Sequence, residues 1–198
     1  MALKLLGVAG SMREGSYSLR ALTPVLQAAA ARGAETSILD LRLARLPLYN
    51  PDAPPTDAEG HVRRATEAVG WADAFVLASP DYHGSMSGAM KNFLDYHWEE
   101  FTGKLFGYLC ASHEKGLTVM DQMRTAVRQC YGWSMPYGVS VHGEHDFDGG
   151  GKITNARLEK RLDMLGRDVV VYGTMIRQQF VRDLHGDDAD TFAARYRK

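Results

Sequence analysis

Short apolar runs alternate with longer helical stretches along this chain, and that alternation constrains its fold more than any other feature. Leu3-Lys4-Leu5-Leu6-Gly7-Val8-Ala9 has a buried-strand pattern, a brief apolar run containing a single glycine. Runs of the same kind recur at residues 36–39, 74–78, 105–111 and 137–141, and Pro80 is expected to stop the third. Between and after them, residues 18–32, 58–69, 87–99, 117–131 and 154–171 carry helix formers at helical spacing. Gly33 and Gly70 stand just past the first two of these stretches, where glycine commonly ends a helix. Five strands alternating with five helices imply an α/β protein, with a parallel sheet, right-handed crossovers and helices on both faces.

For a five-stranded doubly wound sheet of this kind the expected architecture is a flavodoxin-like three-layer sandwich with strand order 2-1-3-4-5. The 198 residues suffice for one such domain, expected over residues 1–173 and followed by a C-terminal extension over 174–198. Phe180, Phe192 and Tyr196 are spaced among charges in that extension, which suits a helix at an oligomer interface better than disorder. Residues 46–57 hold Pro47, Pro51, Pro54 and Pro55 and read as a long ordered loop. Twenty-three basic residues against 24 acidic ones exclude a strong electrostatic footprint for nucleic acid or an anionic membrane. The first apolar run is too short to span a bilayer and lacks the pattern of a secretory signal, so a soluble cytoplasmic protein is expected. Cys110, in a strand, and Cys130, in a helix, read as small buried hydrophobes, without the spacing of a disulfide scaffold or a cysteine-only zinc site.

In a sheet of this type ligands bind beyond the carboxyl ends of the strands, which directs attention to the loops there. The first, Gly10-Ser11-Met12-Arg13-Glu14-Gly15-Ser16-Tyr17-Ser18, leads into a helix N-terminus, whose free N–H groups attract an anion. Ser11, Ser16 and Ser18 offer hydroxyls and Arg13 a fork of charged donors. Neither GxxxxGK[ST] nor GxGxxG is present, so the best physical match is one phosphate monoester. The alternative is an ordinary strand-to-helix turn with serine caps. In the loop after the third strand, Pro80 and Gly84 shape a tight backbone, and Tyr82 and His83 offer flat side chains. Backbone N–H groups around Gly84 suit the carbonyl edge of a heterocycle, the alternative being a turn with a cap at Ser85 or Ser87. His142-Gly143-Glu144-His145-Asp146 has an HxxH spacing but no supporting ligand pattern, so no metal site is expected there.

These motifs together resemble the NADPH-dependent FMN reductase family. The first loop is similar to that family's GSxRxxSxS phosphate loop, and Pro80-Asp81-Tyr82-His83-Gly84-Ser85 to its P-E-Y-N-G-S ring loop. Lys91-Asn92-Phe93-Leu94-Asp95 resembles its K-N-x-x-D helix, and Leu46-Pro47-Leu48-Tyr49-Asn50 its proline loop. The resemblance runs from about Leu3 to the fifth helix. It implies that Ser11, Arg13, Ser16, Tyr17 and Ser18 hold the FMN phosphate. Pro80, Asp81, Tyr82, His83, Gly84 and Ser85 would surround the isoalloxazine ring, with Ser112 and Gly116 in a further loop against it. His83 and Asp81 replace the family's usual Asn and Glu, which bears on the ring's hydrogen bonds. The implied activity is an FMN-dependent NAD(P)H oxidoreductase, a homodimer or homotetramer. It would pass a hydride from NADPH or NADH through FMN to a small-molecule acceptor: a flavin, a quinone, an azo compound or a metal oxyanion. A flavodoxin-like electron-transfer module, and a phosphate-binding domain without flavin, stay open as alternatives at this stage.

Overall fold

The structure, a computed structural model, describes residues 1–52 and 60–196. Strand β1 (Lys4–Ala9) runs through a parallel sheet between β2 (Glu35–Asp40) and β3 (Ala74–Tyr82). Beyond β3 lies β5 (Leu105–Ala111), and the far edge is made by β6 (Trp133–Ser134) and β7 (Val139–Val141), both parallel to β5. Counted by parallel position, the order is the expected 2-1-3-4-5. The central strands are apolar almost throughout because both of their faces are covered. Leu5, Val76 and Leu109 face a layer formed by α1 (Tyr17–Ala30) and α7 (Ala156–His185). Their neighbours Leu6, Phe75, Leu77 and Phe106 face α3 (His61–Trp71), α4 (Gly88–Asp95) and α5 (Leu117–Gln129). The period of two in each strand thus builds two cores on opposite sides of one sheet.

Several boundaries differ from the sequence pattern, each for an identifiable reason. Pro80 does not stop β3: it lies past the last β1 pair, Ala9 with Ala78, where the strand has lost one neighbour and a missing donor is tolerated. The strand continues to Tyr82 and turns back into β4 (Ser85–Met86). The expected fifth strand is split, because Trp133 pairs with Leu105 but Val139 with Leu109, which leaves two more residues on the outer strand than on β5. Pro136 lies in that excess and cannot donate to a ladder. Gly70 sits inside α3 instead of ending it, while Ala58, where that helix was expected to begin, lies outside the described residues along with Pro54 and Pro55. Ser87 is the cap of α4 and not its first residue, and the helix ends at Asp95 before a 3-10 turn at Glu99–Phe101. Two short helices, α2 (Leu41–Ala44) and α6 (Gly143–Asp146), have no forewarning in the periodicity.

The last long helix runs unbroken for 30 residues, well past residue 171. After it, α8 (Phe192–Tyr196) folds back so that Phe180, Phe192, Tyr196 and Tyr131 form one aromatic cluster within the chain. Gly103 lies directly beneath Phe180, with no room for a side chain of its own.

Candidate functional site

The loops at the carboxyl ends of β1, β3, β5 and β7 enclose a cleft of about 490 Å³. Of the residues expected there, Ser11, Arg13, Ser16, Tyr17, Ser18, Pro80, Asp81, Tyr82 and Ser112 line it. Gly84 and Gly116 line an adjoining depression that shares Asp81, Ser112 and His113 with the cleft. Ser85 faces a neighbouring groove beside α5, and His83, at the tip of the β3–β4 hairpin, lines neither. Arg20, Glu144 and the rings of His113, His142 and His145 join the cleft wall although no motif had marked them as ligands.

The three serines of the first loop have different roles. Ser16 caps α1, its Oγ accepting from Leu19 N at 3.3 Å, and Ser11 Oγ accepts from Arg13 N at 3.2 Å within the turn. Capping and turn formation use one acceptor lone pair of each of these two hydroxyls and leave its O–H free to donate. Ser18 differs: it is 1% exposed, and its Oγ has no hydrogen-bond partner. A buried hydroxyl left unpaired costs about 1–3 kcal/mol, and a water or a ligand at the first turn of α1 would satisfy it. The guanidinium groups of Arg13 and Arg20 likewise lack carboxylate partners among the described residues. Free N–H groups at a helix start, an unpartnered hydroxyl and two uncompensated guanidiniums suit the phosphate of FMN.

The ring loop is a tight antiparallel hairpin, with Asp81 opposite Met86 and Tyr82 opposite Ser85. Its two-residue turn places His83 at φ 58° and Gly84 at φ 75°, the left-handed pair that suits the twist of such a hairpin. Asp81 holds the turn closed. Its Oδ1 accepts from Gly84 N at 2.8 Å, and its Oδ2 accepts from Ser112 Oγ at 2.8 Å, tying the hairpin to the loop after β5. From α5, the Gln122 side-chain amide grips the same hairpin at three points. Its Oε1 accepts from Ser85 Oγ (2.8 Å) and Met86 N (3.2 Å), and its Nε2 donates to Gly84 O (3.3 Å). Ser87 joins the two ligand loops: its Oγ donates to Gly10 O and accepts from Met90 N. Asn92 clasps the proline loop, donating to Pro47 O and accepting from Tyr49 N.

On the opposite wall the His142 ring lies 4.2 Å from that of His145 and 5.6 Å from that of His113, with His142 Nδ1 buried and unpartnered. Asp146 is occupied in holding this loop, accepting from His142 N and from Asn155 Nδ2. Among the described residues no group of three or more His, Cys, Asp or Glu side chains is arranged to hold a metal ion. Cys110 lies under the site against Gly116, and burial, with Asp81 nearby, pushes its thiol up to about 12. It is a packing residue without thiolate character at neutral pH.

Gln122 and Arg20 are two of the site residues that no motif marked. Gln122 has all its site partners at least 36 residues away, so no local signal marks it. Arg20 did leave a signal: it follows Ser16 by one helical turn and so shares its face.

A five-position parallel sheet with a serine-rich loop after its first strand and a tight hairpin after its third is a flavodoxin-like fold. Residues 3–146 match the family described as NADPH-dependent FMN reductase, and the chain belongs to that family. It is accordingly an NAD(P)H-dependent oxidoreductase with FMN as its cofactor. Over 118 residues it is 35% identical to an NADPH azoreductase of Bacillus sp. (strain OY1-2), covering 58% of this chain and 66% of that one. Over 194 residues it is 28% identical to an NAD(P)H-dependent FMN reductase of Pseudomonas aeruginosa, covering 93% and 98% of the two chains. The fold is similar to that of the flavoenzyme NAD(P)H:(acceptor) oxidoreductase FerB of Paracoccus denitrificans. The TM-score is 0.71 at 20% identity, covering 88% of this chain and 98% of that one. Among the described residues no helix is long and apolar enough to cross a membrane.

Proposed function

We propose that this enzyme reduces a small aromatic or conjugated acceptor, a quinone, an azo compound or a free flavin, with metal oxyanions as a further class. The observation that carries the reading is the buried, unpartnered hydroxyl of Ser18, a residue in the first turn of α1 that lines the same cleft as the ring hairpin. Ser11, Arg13, Ser16, Tyr17 and Ser18 would hold the phosphate. Pro80, Asp81, Tyr82 and Ser112 would seat the ring, with Gly84 and Gly116 in the adjoining depression, while His83 and Ser85 shape the hairpin beside it. FMN held there would supply the redox chemistry, hydride transfer from NADPH or NADH through N5 to the acceptor. The chain's own residues bind and orient. Asp81 and Gln122 take up the N–H groups of Gly84 and Met86 and the C=O of Gly84, which fixes the shape of the hairpin, and half-exposed Tyr82 stands at the mouth where a flat substrate would enter. NAD(P)H and the acceptor use that mouth in turn, which supports ping-pong kinetics. The reading also places the protein in the cytoplasm as a homodimer or homotetramer. Exposed Val171, Tyr172 and Met175 on α7 offer apolar surface for a second copy. The extension from residue 174 continues the domain's own helix through that surface.

Purified protein should carry or take up FMN, show a flavin spectrum, and oxidise NADPH in the presence of a quinone or azo acceptor. Parallel double-reciprocal lines are expected when both substrates are varied. Arg13→Ala should weaken FMN retention. A flavin spectrum without NAD(P)H oxidation would favour an electron-transfer role instead.

A further inference from the structure

We infer that Arg20 is a second guanidinium of the phosphate cradle, so that the site takes a phosphate monoester as its dianion through Arg13 and Arg20 together. The inference rests on the FMN reading above and extends it to a residue outside the recognised loop. A phosphate monoester carries close to two negative charges at neutral pH, because its second pKa is about 6. Arg13 alone matches one of them.

Arg20 meets the requirements of the second partner. One helical turn beyond Ser16, it stands on the face of α1 that looks into the cleft. Its guanidinium carbon lies 5.5 Å from the centre of the Tyr17 ring, a cation–π stack that fixes its direction. Gly151 leaves the space for it, since a methyl group there would come within 3.0 Å of the guanidinium carbon. The side chain is thus ordered by stacking and packing, yet among the described residues no carboxylate compensates it. Elsewhere in the chain Arg32, Arg63 and Arg177 are met by Asp163, Glu67 and Asp73. Glu14 and Glu144 share the cleft wall with Arg20 but pair with it nowhere. Arg20 is also half-buried where Arg13 is exposed, so it is the better preorganised of the two. The unpartnered Ser18 hydroxyl, one turn from the same helix start, is an independent sign that an anion belongs in this place.

The test compares FMN with riboflavin, which lacks the phosphate. Flavin-free protein is titrated with each while quenching of flavin fluorescence is followed, for the unmodified chain, Arg20→Met and Arg20→Lys. Arg20→Met should weaken FMN binding by about 10- to 100-fold, the range for a hydrogen bond to a charged group, with riboflavin binding unchanged. Arg20→Lys, which keeps the charge but not the fork, should fall between. Equal losses for both flavins would make Arg20 a packing residue, and no loss for either would remove it from the site; each result overturns the inference. Melting in millimolar inorganic phosphate separates the inference from the FMN reading. If the unmodified chain binds neither flavin, a Tm rise with phosphate that vanishes in Arg20→Met would uphold the anion site and reject the flavin. An equal rise in both proteins would reject Arg20.

Discussion

Replacing Ser18 by alanine should stabilise the flavin-free protein and weaken its hold on FMN, two changes of opposite sign. In the unliganded protein the Ser18 hydroxyl is buried and unpartnered, and the lower end of the penalty for such a group is about 1 kcal/mol. Alanine is also the better helix former by about 0.5 kcal/mol at this first-turn position. Together these raise the stability of the flavin-free form by about 1.5 kcal/mol, or about 3–6 °C in Tm for a chain of this size. With FMN bound, the hydroxyl donates to the phosphate, and loss of a hydrogen bond to a charged group weakens binding by about 10- to 100-fold. Because ligand stabilisation grows with the logarithm of concentration over Kd, a 30-fold weaker site forfeits about 2 kcal/mol at any FMN excess. The melting curves should therefore cross: Ser18→Ala melts above the unmodified chain without FMN and level with it or below when FMN is saturating. A variant that melts lower without FMN, or binds FMN as tightly as before, would refute the assignment of this hydroxyl to a phosphate.

Three further outcomes follow from the packing. Gly116 has φ 61°, and a methyl group there would lie 2.5 Å from Cys110 Sγ, so Gly116→Ala should cost about 2–4 kcal/mol in chemical unfolding, an unchanged urea midpoint counting against the close packing. Gln122→Met keeps the bulk but removes three hydrogen bonds to the hairpin; it should lower stability by about 1–2 kcal/mol and shift the visible flavin spectrum, whereas an identical spectrum would show that the clamp does not shape the ring site. His97 is 1% exposed, and burial holds its pKa below the ordinary 6.5 against weaker opposing effects from Phe93 O and Glu100. The unfolded chain then binds a proton that the folded one excludes, so stability declines as pH falls through 6.5, by at most about 1.4 kcal/mol between pH 7.5 and 5.5. His97→Phe should flatten that decline in urea midpoints taken at the two pH values, and an unaltered slope would assign it to other groups.

Much of the site was legible because its signals are local. The apolar runs at Leu3–Ala9 and Ala74–Ala78 mark strands, and parallel strands bring the loops that follow them to one edge of the sheet. The left-handed turn of the hairpin was foreshadowed by Gly84, though His83 took a position for which asparagine is better suited. Pro80 misled for a reason no single segment reveals: whether a proline breaks a strand depends on whether a neighbour still needs its N–H. Gly70 misled similarly, since α3 continues through a glycine with packing on both sides of it, at Val69 and Trp71.

Ser16 and Ser18 show where sequence ends and tertiary structure begins. They are the same residue type, two positions apart in one loop, and nothing local distinguishes them. The alternation of runs and the turn residues were enough by themselves to determine a doubly wound sheet and the edge of it at which the serine-rich loop lies. Those features depend on backbone conformation and on periods of two or 3.6 residues, which neighbouring residues control. Only the folded chain decided which hydroxyl caps the helix and which is buried without a partner. It decided likewise that Gln122 grips a hairpin more than thirty residues away and that Arg20 faces the cleft without a carboxylate. Hydrogen-bond partners and compensating charges are set by distances between segments remote in the chain, and those distances exist only once the sheet has assembled.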